Sequence, residues 1–346
     1  MTAGAGAHTV RAVVVQDVRG RPSRLVDALC GEGDIVVIGR PTTSVDAIRE
    51  VAVLRPGVVV LDLHLPDGQS QYVIEQIMAR SPTPILVLSA PADDHQAPSA
   101  VDALVAGALE ALPRPPRWTP ELGADLRRTV RRISRVTVIR HPRGSRAIST
   151  RHDADPSGRR PVVAIAASTG GPNALAVLLA GLGGLRAPVL VVQHLHPDFI
   201  TGLVEWMSRV CPLPVETARH RQSTRPGRVY FAPGEHHLHY CANGRLELAA
   251  APATVHRPSA DELFRAVAAG AGSAGIGVLL TGMGEDGAAG LLAMHRQGAA
   301  TLAQDEASSA VFGMPQAANR LGAVTTLLPL DKLAGAIQQA VCEVLS

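Results

Sequence analysis

"VVAIAASTGGPNAL", residues 162–175, runs from small and β-branched apolar residues into Ser168, Thr169 and two glycines, then into Pro172 and an alanine–leucine pattern. The order is strand, sharp turn, helix start, with proline in the first helical turn, where a missing amide costs nothing. Such a turn serves one of two chemistries: it cradles a phosphate on helix-start amides, or it presents a serine for attack on a carbonyl. A phosphate loop needs a lysine and a hydroxyl residue after its glycines, and a dinucleotide site needs G-x-G-x-x-G. Neither occurs here, and the only lysine in the chain is Lys332.

Around this stretch, residues 161–346 repeat a strand–helix rhythm. "PVVAIAA", "APVLVVQH", "RVYFAPG", "GIGVLLTG" and "AATLAQD" read as core strands, and 172–181, 260–271 and 287–296 as helices between them. "HHLHYCANGRLELAA" alternates about Asn243-Gly244, a strong hairpin signal. Residues 10–117 show the same rhythm in "VRAVVVQD", "DIVVIGR", "GVVVLDL", "PILVLSA" and "ALEALPRP". Strands alternating with amphipathic segments predict an α/β chain with two doubly wound parallel-sheet domains, the second carrying an antiparallel hairpin. Ligand chemistry in such sheets gathers beyond the carboxyl ends of the strands.

At 346 residues and 46% hydrophobic content the chain supports two cores. "MTAGAGAHTVRAVVVQD" lacks the pattern of a secretion signal, and no apolar run approaches the ~20 residues of a spanning helix, so a cytoplasmic protein without membrane insertion is expected. Cys30, Cys211, Cys241 and Cys342 are far apart, which suits free thiols in a reducing compartment. The net charge of +3 is uneven: residues 114–160 hold thirteen arginines against four acids, leaving the rest at −6. This segment, cut by Pro, Gly and Ser, predicts a basic linker at 118–160 with a solvated helix near 119–135. Without interleaved aromatics or a DNA-binding motif it predicts no nucleic-acid partner.

A serine is a poor nucleophile alone, so a base and an orienting acid must lie at other strand ends. "VLVVQHLHPDF" ends a strand at His194, and "GVLLTGMGEDGAAG" puts Asp286 in a glycine-rich turn after another. His194 would take the Ser168 proton, and Asp286 would hold the imidazole tautomer. Taken singly, Ser168 also reads as a helix N-cap, His194 as a core histidine and Asp286 as a turn residue, so the residues alone leave both readings open. His236, His237 and His239 in the hairpin are expected at the surface, with no metal role.

Longer strings narrow this. "ASTGGP" (167–172), "VVQH" (191–194), "FAPG" (231–234), "HRPSADELF" (256–264), "LTGMGEDGAAGLLAM" (280–294) and "AQDEASSAVFGMP" (303–315) resemble the signature segments of the chemotaxis protein-glutamate methylesterases, the CheB-type response regulators. The resemblance implies a Rossmann-like catalytic domain at 161–346 behind a flavodoxin-like receiver at 10–117. It implies a Ser168–His194–Asp286 triad, oxyanion donors at the Thr169 and Met283 amides, and no cofactor for catalysis. The implied reactions are hydrolysis of glutamate methyl esters on chemoreceptors, with release of methanol, and deamidation of receptor glutamines. Ala166 departs from the glycine usual in that family two residues before the serine.

Receivers of this kind hold a divalent cation on an acidic pair, phosphorylate an aspartate, and use a hydroxyl and a lysine beside it. The matching positions here are Gln16-Asp17, Asp62, Ser89 and Arg114. Asp17 and Asp62 would hold Mg²⁺ weakly, since one acid is replaced by an amide, and an arginine fork is no equivalent of an ammonium. Methylated chemoreceptors as substrate, a histidine kinase as phosphodonor of Asp62 and a monomeric chain are the implied partners and state. The alternatives are a methylesterase-like protein acting outside chemotaxis with a receiver that is not phosphorylated, and a catalytically silent signalling module.

Overall fold

Valine-rich runs without polar alternation form strands buried on both faces, as a parallel sheet between helix layers requires. The computed structural model describes residues 9–16, 24–89, 100–136 and 160–346, and the chain divides into two units, Met1–Arg140 and His141–Ser346. In the first unit, β1 (Val10–Val15), α1 (Arg24–Cys30), β2 (Ile35–Gly39), α2 (Ser44–Leu54), β3 (Val58–Asp62), α3 (Ser70–Arg80), β4 (Ile85–Ser89), α4 (Ala100–Ala106), β5 (Glu110–Pro113) and α5 (Pro120–Ile133) follow one another. The strands pair in parallel in the order β2-β1-β3-β4-β5. This is the flavodoxin-like order.

The linker expected at 118–160 needs correction in its first part. Thr119 accepts a hydrogen bond from the Leu122 amide and Pro120 opens the first turn, so α5 has a well-formed start. Leu126, Val130 and Ile133 recur on one face and are buried in the first unit. The arginines on its flanks meet acids of the same unit: Arg127 pairs with Glu32 at 2.8 Å, Arg131 with Asp34 and Glu32, and Arg132 with Glu110. Arg131 holds the Asp34 carboxyl below its ordinary range despite the opposing effect of burial. The helix is therefore an integral element of the first unit, and part of the basic surplus balances acids that lie far away in sequence. Residues 137–159, the rest of the expected linker, fall outside the described residues.

The second unit holds β6 (Val162–Ala167), α6 (Gly171–Ala180), β7 (Val189–Gln193), α7 (Pro197–Val210), β8 (Val215–Thr217), β9 (Val229–Phe231), β10 (His237–Tyr240), β11 (Leu246–Ala249), α8 (Ala260–Ala271), β12 (Gly275–Leu279), α9 (Ala288–Arg296), β13 (Ala300–Gln304), α10 (Met314–Arg320), β14 (Thr326–Leu328) and α11 (Leu330–Leu345). Seven strands pair in parallel in the order β14-β13-β12-β6-β7-β9-β8. The five core strands read from sequence are β6, β7, β9, β12 and β13. The short β8 and β14 extend the two edges. The hairpin β10–β11 forms around Gly244, whose φ is 76°, but it makes a separate two-stranded sheet and does not join the large one. The chain leaves β6 toward β7 on one side and later returns to lay β12 on the other, so the order in which strands are added reverses between β6 and β12. Their carboxyl ends flank the crevice where such folds place their chemistry.

Candidate active site

Three strand ends meet at this crevice. Ala167 is registered opposite Gln193 across β6 and β7, so the next residues, Ser168 and His194, are neighbours, and the His194 amide donates to the Ala167 carbonyl at 3.0 Å. On the other side the Ser168 amide donates to the Thr281 carbonyl at 3.0 Å. Gly170, at φ 77°, starts α6; a Cβ there would stand 2.5 Å from Ala310 Cβ. Ser168 is thus held at a glycine turn between β6 and the helix, as read from sequence, and is buried with Thr169.

His194 Nε2 lies 2.8 Å from Asp286 Oδ2. The carboxylate accepts three more hydrogen bonds: Ala260 N–H on Oδ2 at 2.8 Å, and the Ser259 hydroxyl at 2.9 Å and Asp261 N–H at 3.1 Å on Oδ1. With the carboxylate as acceptor, Nε2 carries the proton and Nδ1 keeps the lone pair. Nδ1 is buried and has no partner among the described residues. The ring therefore meets the carboxylate through Nε2 and keeps Nδ1 unpaired, the reverse of the nitrogen assignment in the chymotrypsin-like template. The Ser168 hydroxyl makes no hydrogen bond to the ring. The His256 ring stacks on that of His194, with centroids 4.3 Å apart and planes 13° apart, fixing its tilt.

Burial opposes the charge of Asp286, yet its carboxyl is held well below the usual range by the hydrogen bond and charge of His194 and by the Ala260 and Asp261 amides. Those amides begin α8, whose dipole favours an anion at that end. Asp261 is pushed the other way, by burial and then by the nearby Asp286 charge, while the Gly290 amide partly offsets both.

The two expected oxyanion donors share one construction. The Ser168 carbonyl accepts from Gly171 N–H at 2.8 Å and from Gln193 Nε2 at 2.9 Å. The Gly282 carbonyl accepts from Gly313 N–H at 3.1 Å and Met314 N–H at 2.9 Å. In a trans peptide the N–H points away from the carbonyl, so these bonds aim the Thr169 and Met283 N–H groups. Neither N–H has a partner among the described residues. The loops lie close together: a Cβ on Gly282 would stand 2.8 Å from Ser168 Cβ and 2.2 Å from Met314 Sδ.

Sequence reading missed several supporting residues. Gln193 also donates to the His194 carbonyl at 2.9 Å, tying the Ser168 and His194 turns together. Thr281 donates its hydroxyl to the Thr169 carbonyl at 3.0 Å. His237, expected at the surface, is fully buried: Nε2 lies 2.9 Å from the Pro252 carbonyl, and Nδ1 accepts from Ser259 N–H at 3.1 Å. "SADELF" after a loop was a visible N-cap signal for Ser259; nothing local signalled its bond to Asp286.

In the first unit, Asp62, Ser89 and Gln16 are buried at the carboxyl ends of β3, β4 and β1, and Arg114 follows β5. Asp17 lies outside the described residues. Both Asp62 oxygens are engaged, Oδ1 by the His64 amide at 3.0 Å and Oδ2 by Arg114 Nη1 at 2.6 Å. With Gln16 in place of one acid and the Asp62 carboxylate paired with the Arg114 guanidinium, this pocket fits Mg²⁺ poorly.

Fold and site together define an α/β enzyme of the serine-hydrolase kind. The sequence profile described as CheB methylesterase matches residues 163–337, and the chain belongs to that family. A "protein-glutamate methylesterase/protein-glutamine glutaminase 2" of Anaeromyxobacter dehalogenans (strain 2CP-C) is 41% identical over 345 residues, covering 98% of this chain and 99% of its own. A "protein-glutamate methylesterase/protein-glutamine glutaminase 3" of Myxococcus xanthus (strain DK1622) is 39% identical over 342 residues, covering 96% of this chain and 94% of its own. The crystal structure of the Thermotoga maritima CheB methylesterase catalytic domain is 33% identical, with a TM-score of 0.51, and covers 52% of this chain and 98% of its own. No helix among the described residues is long and apolar enough to cross a membrane.

Proposed function

We propose that this protein hydrolyses glutamate methyl esters on chemoreceptors, releasing methanol, and deamidates receptor glutamines at the same site. The observation that carries the reading is the His194 ring, bonded through Nε2 to Asp286 with a buried, unpartnered Nδ1, on the residue that neighbours Ser168 across the β6 and β7 strand ends. Ser168 Oγ attacks the ester carbonyl while Nδ1 takes the hydroxyl proton. The negative oxygen of the tetrahedral adduct accepts from the Thr169 and Met283 amides. Collapse breaks the bond to the methoxy group, which leaves as methanol with the proton from Nδ1. Water then gives a proton to Nδ1 and attacks the acyl-serine, releasing the glutamate carboxylate and restoring Ser168. With a glutamine amide the first leaving group is ammonia. Asp286 stabilises the imidazolium formed in each half.

For the first unit we infer that Asp62 accepts a phosphoryl group from a histidine kinase at reduced efficiency, because Arg114 must leave Oδ2 first. Under this reading the chain works as a monomer in the cytoplasm. The test is methanol release from a methylated chemoreceptor by the full chain and by Ser168→Ala; equal release by both removes Ser168 from the mechanism and the hydrolase reading with it.

A further inference from the structure

We propose that His237 is a positioning residue for the hydrolysis, acting through Ser259 to set the orientation of the Asp286 carboxylate; this rests on the triad reading above. His237 is a fully buried imidazole that the mechanism does not use. The Pro252 carbonyl fixes its proton on Nε2, which leaves Nδ1 free to accept from Ser259 N–H at 3.1 Å. That bond holds the Ser259 backbone at the start of α8. From there the Ser259 hydroxyl donates to Asp286 Oδ1 at 2.9 Å, while Oδ2 faces His194.

The chain Pro252–His237–Ser259–Asp286–His194 joins the small hairpin sheet to His194 through hydrogen bonds and the covalent frame of Ser259, whose amide and hydroxyl face opposite ways along it. Carboxylates that orient a histidine depend on the groups behind them. Here the group behind is split in two: the serine hydroxyl touches the carboxylate, and the histidine decides where that hydroxyl stands. The His237 ring bonds the Pro252 carbonyl and the Ser259 amide, not Ser168, His194 or Asp286. Its effect on the reaction passes through the plane of the carboxylate and so through the tilt of the imidazole.

Two variants separate this from ordinary packing. Asparagine places its Oδ1 close to where Nδ1 stands, so His237→Asn keeps the acceptor for Ser259 and loses the bond to Pro252. Glutamine places its Nε2 close to the ring Nε2, so His237→Gln keeps the Pro252 bond and loses the acceptor. Methanol release from a methylated chemoreceptor is measured for the full chain, for both variants, for Ser259→Ala, for the His237→Gln/Ser259→Ala double variant and for Ser168→Ala, with thermal midpoints for each.

His237→Gln and Ser259→Ala are expected to lower kcat about ten- to a hundredfold with KM unchanged, the range for losing a hydrogen-bonding layer behind an orienting group. His237→Asn should stay within about threefold of the wild type, and the double variant should be no worse than its worse parent, as for members of one network. Equal losses in His237→Asn and His237→Gln, a loss expressed in KM, or losses that multiply in the double variant would overturn the proposal. Should His237→Gln fail to fold, an unchanged kcat in Ser259→Ala overturns it alone. Retained activity in Ser168→Ala refutes the hydrolase reading and this inference together, whereas an inactive Ser168→Ala with the wrong His237 pattern refutes only the inference.

Discussion

Asp286→Asn replaces an oxygen pair that accepts four hydrogen bonds by one acceptor and one donor. If the remaining oxygen faces His194 and Ala260, the new NH₂ meets the Asp261 N–H, and the Ser259 hydroxyl must rotate to accept. One hydrogen bond to a charged group is then lost and two donors oppose each other, for about 2–3 kcal/mol of stability. If instead the NH₂ faces His194, the ring must move its proton to Nδ1, and it can no longer take one from Ser168. Either arrangement also removes the charge that stabilises the imidazolium, so kcat should fall about 10²- to 10⁴-fold. The stability loss carries a pH signature. Because folding depresses the Asp286 pKa from 3.8, its contribution is fully present above that value and fades as pH falls through and below it. The gap between wild type and variant in urea unfolding should therefore be full at pH 7 and narrow below about pH 4. Methanol release with a kcat within about tenfold of the wild type, or a stability gap that does not change with pH, would refute the reasoning.

Gly282→Ala should cost about 1–3 kcal/mol in thermal unfolding and most of the methanol release, since the added methyl meets Ser168 Cβ at 2.8 Å. Gln193→Leu removes donors to the Ser168 and His194 carbonyls and should lower stability by about 2 kcal/mol, read from the urea midpoint, with a lower kcat. His256→Ala removes a ring stacked 4.3 Å from the base and should reduce kcat about three- to tenfold in the same assay. Incubation of the full chain with acetyl phosphate should add mass at Asp62 slowly, and Arg114→Lys should speed it; no addition in either chain removes Asp62 as a phosphoacceptor.

The strand ends that carry chemistry were legible because parallel strands with helices on both faces are continuous apolar runs, and "VVAIAAS" or "VLVVQH" ends abruptly in polar residues. The edges were not: "VET" in β8 and "TLL" in β14 are three residues each and partly solvated, too short for a periodic pattern. Helix α5 was read as a solvated linker because its arginines dominate the composition. Its apolar stripe of Leu126, Val130 and Ile133 was present in the sequence, but the acids that neutralise its flanks, Glu32 and Asp34, lie nearly a hundred residues earlier. The same distance problem hid the support of the triad. A serine before a helix announces a cap, but its second bond goes to a carboxylate from the turn after β12, and the acceptor holding its amide comes from β10. Which nitrogen of His194 faces the acid is a matter of strand register and ring rotation, and no residue pattern encodes it.

Asp286 gives the start of α8 two of its acceptors while also bonding His194. Fraying of that helix end and release of the Asp286 carboxylate are therefore one event, and the exchange rates of the Ala260 and Asp261 amide hydrogens report the fraction of molecules in which the carboxylate has lost these donors. A deuterium-labelling readout at two peptide groups thus follows how firmly the Asp286 carboxylate is held, without any substrate.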